Sequence, residues 1–135
     1  MTLLFLDTSF IVALELADEQ DHPATFRYWQ TLSQMQPQFV TTSYVFDEIV
    51  TFFNSRHRHD RAVSVGNRLI ESTLVRLIQV DEFLFLRGWQ FFKTHTDKSY
   101  SLTDCISFLV IEQERIQTAL TLDRHFVQAG FQKVP

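Results

Sequence analysis

The opening stretch Leu3-Leu4-Phe5-Leu6-Asp7-Thr8-Ser9 constrains the fold more than any other part of the chain. Four apolar side chains in a row read as a buried strand, and the run ends on a carboxylate followed by two hydroxyls. A core strand gains nothing structural from an ionised tip, because burying an unpaired charge costs far more than one contact returns. Asp7 must therefore cap the next helix or take part in chemistry.

Beyond this strand, short β-rich apolar runs alternate with longer helical segments, uninterrupted by a Gly/Ser-rich linker or an internal repeat. That is the pattern of an α/β protein. The spacing predicts a helix over 10–16, a second over 22–35 ended by Pro37, a strand at 39–41, and helices over about 44–55 and 60–72. A strand at 74–80 runs through an Asp81 cap into a helix ending near Thr94, and 96–100 is a loop before a helix over 101–114. Residues 118–122 return as a strand, Arg124 to Gln128 make one helical turn stopped by Gly130, and 131–134 form a last edge strand. Strands separated by helices are expected to be parallel with right-handed crossovers, so their C-terminal ends share one rim, where ligand sites form.

A chain of 135 residues with 45% hydrophobic content fits one domain spanning 1–135, able to bury about two-thirds of its unfolded surface. Fourteen phenylalanines against three glycines and three prolines indicate dense packing with few loops. The Phe52-Phe53 and Phe91-Phe92 pairs are assigned to the core rather than to an interface. The lone Cys105 excludes an internal disulfide and a cysteine zinc site, and points to the reducing cytoplasm. The N-terminal apolar run lacks a basic flank and is split by Asp7 well below spanning length, so no secretory signal or membrane segment is expected. A net charge of -4 argues against coating nucleic acid by bulk electrostatics. Locally, Arg56, Arg58, Arg61 and Arg68, with His57 and His59, face only Asp60; a solvated turn and a phosphate-tracking surface both fit that stretch.

Three further acids fall where the fold brings them toward Asp7. Asp123 also follows a strand. On the helix after Thr42, Val45, Ile49 and Phe52 define the buried stripe, which turns Asp47 to water and leaves Glu48 at the border of a cleft. Asp104 starts a helix that is apolar nearly all round, and Ser101 with Asp104 forms a capping box. Each acid taken alone is explained as well by capping or a helix dipole as by chemistry. Together they require compensation, since two unit charges about 4 Å apart repel by about 4 kcal/mol at an effective dielectric near 20. No lysine or arginine accompanies them in these motifs. Hard oxygen donors without cysteine or histidine favour Mg²⁺ or Mn²⁺, whose use in such a cluster is hydrolysis of a phosphodiester.

Leu-Asp-Thr-Ser at the amino terminus, Glu48 on the third helix, Ser-Leu-Thr-Asp at 101–104 and Thr-Leu-Asp at 121–123 together resemble the PIN-domain ribonucleases. The closing Asp123-Arg-His-Phe-Val-Gln-Ala-Gly-Phe131 is similar to the small VapC-like toxins of type II toxin-antitoxin modules. The resemblance implies a three-layer Rossmann-like α/β fold with a central parallel sheet of about four to five strands. It also implies a Mg²⁺- or Mn²⁺-dependent endoribonuclease, homodimerisation, an RNA substrate, and neutralisation by a small antitoxin. It makes Asp7, Glu48, Asp104 and Asp123 the acidic site, with Asp7 and Asp104 the direct ligands. Glu48 and Asp123 ligate through water or orient the nucleophile, with Thr8, Ser9, Ser101 and Thr121 as supporting hydroxyls. Arg56, Arg58, Arg61 and Arg68 become an RNA-contacting surface. Asp97 is read as a solvated loop acid, and His125 as a packing or capping residue. A PIN nuclease of RNA maturation or decay, and an inactive binding module on the same fold, are the competing readings. A dehalogenase-type phosphatase would need an acid where Ser9 stands, and a phosphoreceiver domain would need an acidic pair at the first strand's end and a lysine on a late strand.

Overall fold

The computed structural model describes residues 2–135. Its strands are β1 (Thr2–Leu6), β2 (Pro37–Thr42), β3 (Val75–Ile78), β4 (Thr118–Leu120) and β5 (Gln132–Val134). They form one parallel sheet in the order β3-β2-β1-β4-β5. Flanking it are α1 (Thr8–Glu15), α2 (His22–Leu32), α3 (Ser43–Ser55), α4 (His59–Glu71), α5 (Glu82–Thr94), α6 (Leu102–Gln113) and α7 (His125–Gln128). This is the three-layer, Rossmann-like arrangement expected of the sequence.

β1 is the middle strand, and its Leu4, Phe5 and Leu6 are buried, as an apolar run flanked by two parallel neighbours should be. The chain steps outward from β1 through β2 to β3, then returns to β4 on the other side and continues to β5. Winding therefore reverses between β1 and β4, which is the topological switch point of the sheet. Asp7 follows one of these two strands and Asp123 lies just past the other.

Several boundaries differ from the periodicity: α1 begins at Thr8 rather than at residue 10, and β3 covers Val75–Ile78 rather than 74–80. Two further differences have identifiable reasons. The second helix gives way at Leu32 to a 3₁₀ turn over Ser33–Met35, and Gln36 takes a left-handed φ of 51°. Pro37 then opens β2 rather than merely closing a helix, a position where its missing N–H is tolerated. β4 ends at Leu120, two residues before the apolar run does, because side chains take over the donors that would extend the ladder. Leu122 N donates to Ser9 Oγ at 2.9 Å, and Asp123 N to Thr121 Oγ1 at 3.0 Å.

The core contains Phe5, Phe10, Phe53 and Phe126 as its largest fully buried aromatics. Both phenylalanine pairs are split, however: Phe53 is buried while Phe52 is half-buried, and Phe91 is half-buried while Phe92 is exposed. α6 holds eight consecutive buried residues, Asp104 to Ile111, so its first-turn acid enters the interior with the rest of the helix. Among the described residues, no helix is long and apolar enough to cross a membrane.

Candidate active site

Asp7 stands in the N-cap position of α1, yet its side chain makes no capping hydrogen bond. Its Oδ2 instead accepts from Thr121 Oγ1 at 2.7 Å and from Ser9 Oγ at 3.0 Å. Those two hydroxyls lie 3.1 Å apart, and they are the same groups that receive the backbone donors of Leu122 and Asp123. A hydroxyl network thus fastens the end of β1 to the end of β4 and holds the carboxyl in place. Burial pushes the Asp7 carboxyl up to about 6, against the opposing pull of the Thr121, Ser9 and Thr8 hydrogen bonds and with added repulsion from Asp104.

Glu48 comes in from α3 and is only partly buried, while Asp47 points to solvent, as the helical spacing required. Thr8 Oγ1 donates to Glu48 Oε1 at 2.7 Å, tying the first residue of α1 to the second acid. The Glu48 carboxyl is also raised from its ordinary value, by burial first; the Thr8 hydroxyl opposes the shift and Asp104 reinforces it.

Asp104 completes both arms of a capping box at the start of α6: its N–H donates to Ser101 Oγ at 2.9 Å and its Oδ2 accepts from Ser101 N at 3.1 Å. Capping is therefore real, and it does not exhaust the group. The same Oδ2 lies 3.1 Å from His125 Nδ1, which is also 3.4 Å from Asp123 Oδ1. Asp123 in turn accepts from His125 N at 2.9 Å, a local turn that starts α7. Ser99 Oγ sits 3.2 Å from His125 Nε2 on the far side of the ring. A ring with its proton on Nδ1 can thus donate toward the two acids while Ser99 donates to Nε2.

These groups line one cleft of about 580 Å³, which contains Asp7, Thr8, Ser9, Glu48, Ser101, Asp104 and Asp123. Thr121 lies behind the cleft wall, buried, and acts on the site through Asp7 and Ser9. The sequence reading did not place His125, Ser99, Glu19 or Asp21 in the site, and all four line it. The signals were present: His125 stands two residues after a strand-end acid, and Glu19 and Asp21 belong to the acidic loop that returns α1 to α2. Asp97 is solvent-exposed beside Lys98 at 3.8 Å and is absent from the cleft wall.

The arginine stretch divides. Arg68 Nη2 meets Glu15 Oε1 at 2.5 Å, and Arg61 Nη1 donates to the Glu15 carbonyl at 2.7 Å, so both brace α4 against the end of α1. Arg58 lies 4.0 Å from Asp60. Arg56 stacks over the Phe52 ring at 3.7 Å, and Phe52 is itself part of the cleft wall.

Among the described residues, six carboxylates face this space and no lysine or arginine lines it. One ligand atom each from Asp104, Asp123 and His125 lie within 4.8 Å of one another. Carboxyls held above their ordinary range by burial and mutual repulsion are what acids short of positive charge should show. The donor set fits a hard divalent cation.

A parallel sheet with an acidic, metal-compatible cleft at its switch point defines the class, and the match to the PIN domain model over residues 4–132 is unambiguous: the chain belongs to the PIN domain family. Within it, the chain is 33% identical over 132 residues to the 23S rRNA-specific endonuclease VapC20 of Mycobacterium tuberculosis, covering 98% of both. The crystal structure of that VapC20, described as a Sarcin-Ricin loop cleaving toxin, superposes with a TM-score of 0.84 over 95% of each chain. VapBC2 from Rickettsia felis, bound to a DNA fragment from its promoter, shares the fold at a TM-score of 0.69 with 12% identity, covering 98% of this chain and 97% of its own.

Proposed function

We propose that this protein is a metal-dependent endoribonuclease and the toxin of a type II toxin-antitoxin module. The observation that carries this reading is the convergence of Asp7, Glu48, Asp104 and Asp123 on one cleft without a compensating basic side chain. Full-length identity of 33% to a ribosomal RNA endonuclease supports it, and makes 23S rRNA the first substrate to assay.

Asp7 and Asp104 would hold Mg²⁺ or Mn²⁺, with Glu48 and Asp123 acting through water or orienting the nucleophile. When bound, the cation supplies Lewis acidity and charge neutralisation for in-line hydrolysis of the phosphodiester. The chain's own groups do the positioning. Thr121 and Ser9 fix one Asp7 oxygen, Thr8 fixes Glu48, Ser101 fixes Asp104, and His125 spaces Asp104 from Asp123. Arg56 and Arg58, free of the Glu15 brace, contact RNA phosphates outside the cleft. A small antitoxin encoded alongside neutralises the enzyme, which works as a homodimer in the cytoplasm.

Purified protein should cleave structured RNA in Mg²⁺ or Mn²⁺ and stop when EDTA is added. Asp7→Asn and Asp104→Asn should abolish cleavage while keeping native circular dichroism. Full activity in both variants would overturn the site. Growth arrest on expression that depends on Asp7 and is relieved by the neighbouring small gene product separates a toxin from a nuclease of RNA maturation. Folded wild-type protein without cleavage would instead support a binding module.

A further inference from the structure

A second concavity, of about 460 Å³, adjoins the acidic cleft, and the two share one wall residue, Ser99. Their charges are opposite. The groove beyond Ser99 is walled by Lys93, His95, Lys98 and Phe92 and, among the described residues, by no carboxylate. The chain has three lysines, and two of them stand here. Among the described residues Lys93 forms no ion pair, and Lys98 meets only exposed Asp97, at 3.8 Å.

The segment that carries these groups is anchored at both ends. His95 Nδ1 donates to the Phe91 carbonyl at 2.8 Å, and the two rings stack with centroids 3.9 Å apart. Tyr100 is buried, with its ring against those of Phe108 at 4.9 Å and His125 at 5.4 Å. Between the anchors, Lys98 N closes a turn on the His95 carbonyl at 3.2 Å. Polar contacts then run unbroken from Ser99 through His125 to Asp104 and Asp123. A segment held in this way loses little freedom when a ligand settles on it.

A polyanion approaching six carboxylates is repelled everywhere except at the cation they hold, and exposed charges act over about 8 Å at physiological salt. A strand whose scissile phosphate lies in the cleft therefore needs cations close on either hand to hold its neighbouring phosphates. Arg56 offers one at the Phe52 wall. Lys93 and Lys98 offer two beyond the Ser99 wall. Phe92, 39% exposed, adds an aromatic surface of the kind on which unpaired bases stack. An acidic peptide would use the lysines but has no need of the continuity with the cleft.

We propose that the groove of Lys93, Lys98 and Phe92 is a substrate subsite for single-stranded RNA, holding a nucleotide that flanks the scissile bond. The lysines take its phosphate, Phe92 takes its base, and Ser99 marks the threshold to the reacting phosphate. The assignment rests on the nuclease reading for its direction toward the cleft, and its test reads binding apart from cleavage.

The probe is a fluorescein-labelled oligouridylate, followed by fluorescence anisotropy in Mg²⁺ with Asp7→Asn/Asp104→Asn protein so that the strand stays whole. On that background Lys93→Ala and Lys98→Ala should each weaken binding by about threefold, and together by about tenfold. Each should also flatten the slope of log affinity against log salt by about 0.7. Phe92→Ala should weaken binding by about tenfold and leave the salt slope unchanged. Lys133→Ala, which removes the remaining lysine on β5, should leave binding as it was. With the catalytic acids restored, Lys93→Ala/Lys98→Ala should raise KM for RNA cleavage by more than it lowers kcat. Affinity and salt slope indifferent to both lysines would overturn the subsite and leave the groove to an acidic peptide, even if the wild type cleaves RNA. Lysine-dependent binding by a wild type that cleaves nothing would uphold the groove as an RNA site and overturn the nuclease reading alone.

Discussion

Asp7 illustrates at the scale of one residue what an acidic site costs the fold that carries it. The carboxyl ionises near 3.8 in an unfolded chain and about 6 in the native protein, with burial as the main cause. The native state thus binds this proton more tightly. The associated stability is fully present below pH 3.8 and is lost as pH rises through 6. Without metal, Asp7→Asn should therefore stabilise the protein at pH 8, by about 1–3 kcal/mol, and confer little advantage near pH 3.5. Thermal unfolding in EDTA at the two pH values measures this. A lower melting temperature for the variant at pH 8 would mean that the Thr121 and Ser9 hydrogen bonds need the carboxylate more than burial penalises it. The residue scale is also where the sequence was hardest to read. Asp7, Glu48, Asp104 and Asp123 were legible because strand ends and helical phase are sequence properties. His125 was not, because its role depends on which way a four-residue helix turns its ring, and that is decided by Asp104 on a different element.

At the scale of elements, the close contact between α5 and α6 bears on the site, since α6 carries Asp104 on its first turn. Gly88 permits that approach: its Cβ would meet Ile106 Cγ1 at 2.5 Å, and Cγ1 is the inner part of a buried branched side chain, not a free tip. Gly88→Ala should destabilise the protein by about 1–3 kcal/mol, and Gly88→Ala/Ile106→Ala by less than the sum of the two single changes. Urea unfolding of the four proteins tests the coupling; strict additivity would show that α5 and α6 separate without strain. Element existence and order followed the sequence almost throughout, because apolar runs of strand length and amphipathic stripes of helix length alternate cleanly. Boundaries diverged where a side chain replaced a backbone partner, as at the end of β4, where Ser9 and Thr121 take donors that periodicity assigns to the ladder. The arginine stretch shows another limit. Nothing in its spacing reveals that Arg61 and Arg68 are engaged by Glu15, since that acid arrives from α1.

At the scale of the molecule, the cleft gathers side chains from β1's end, α3, α6 and the segment after β4. Whatever binds there holds several elements together, so a cation should raise stability by mass action, about 2.7 kcal/mol at a hundredfold excess over its dissociation constant. Wild-type protein should melt higher as Mn²⁺ is titrated in. Asp7→Asn/Asp104→Asn should show no such rise, in differential scanning calorimetry at constant ionic strength. An equal rise in both would place the cation elsewhere. Parallel topology follows from the alternation of strands and helices, and with it the shared rim. The strand order does not, because choosing β4 rather than β3 as the second neighbour of β1 rests on packing between residues far apart in sequence.

That choice has a consequence in time. Asp7 leaves the ribosome ahead of the hydroxyl that secures it, Thr121, which follows 114 residues later. Until β4 has been synthesised, has left the exit tunnel and has slotted in beside β1, Asp7 has neither its lock nor its partner Asp123. The acidic cleft is therefore assembled late, when the strand that carries its hydroxyl lock docks beside the strand that carries its first acid.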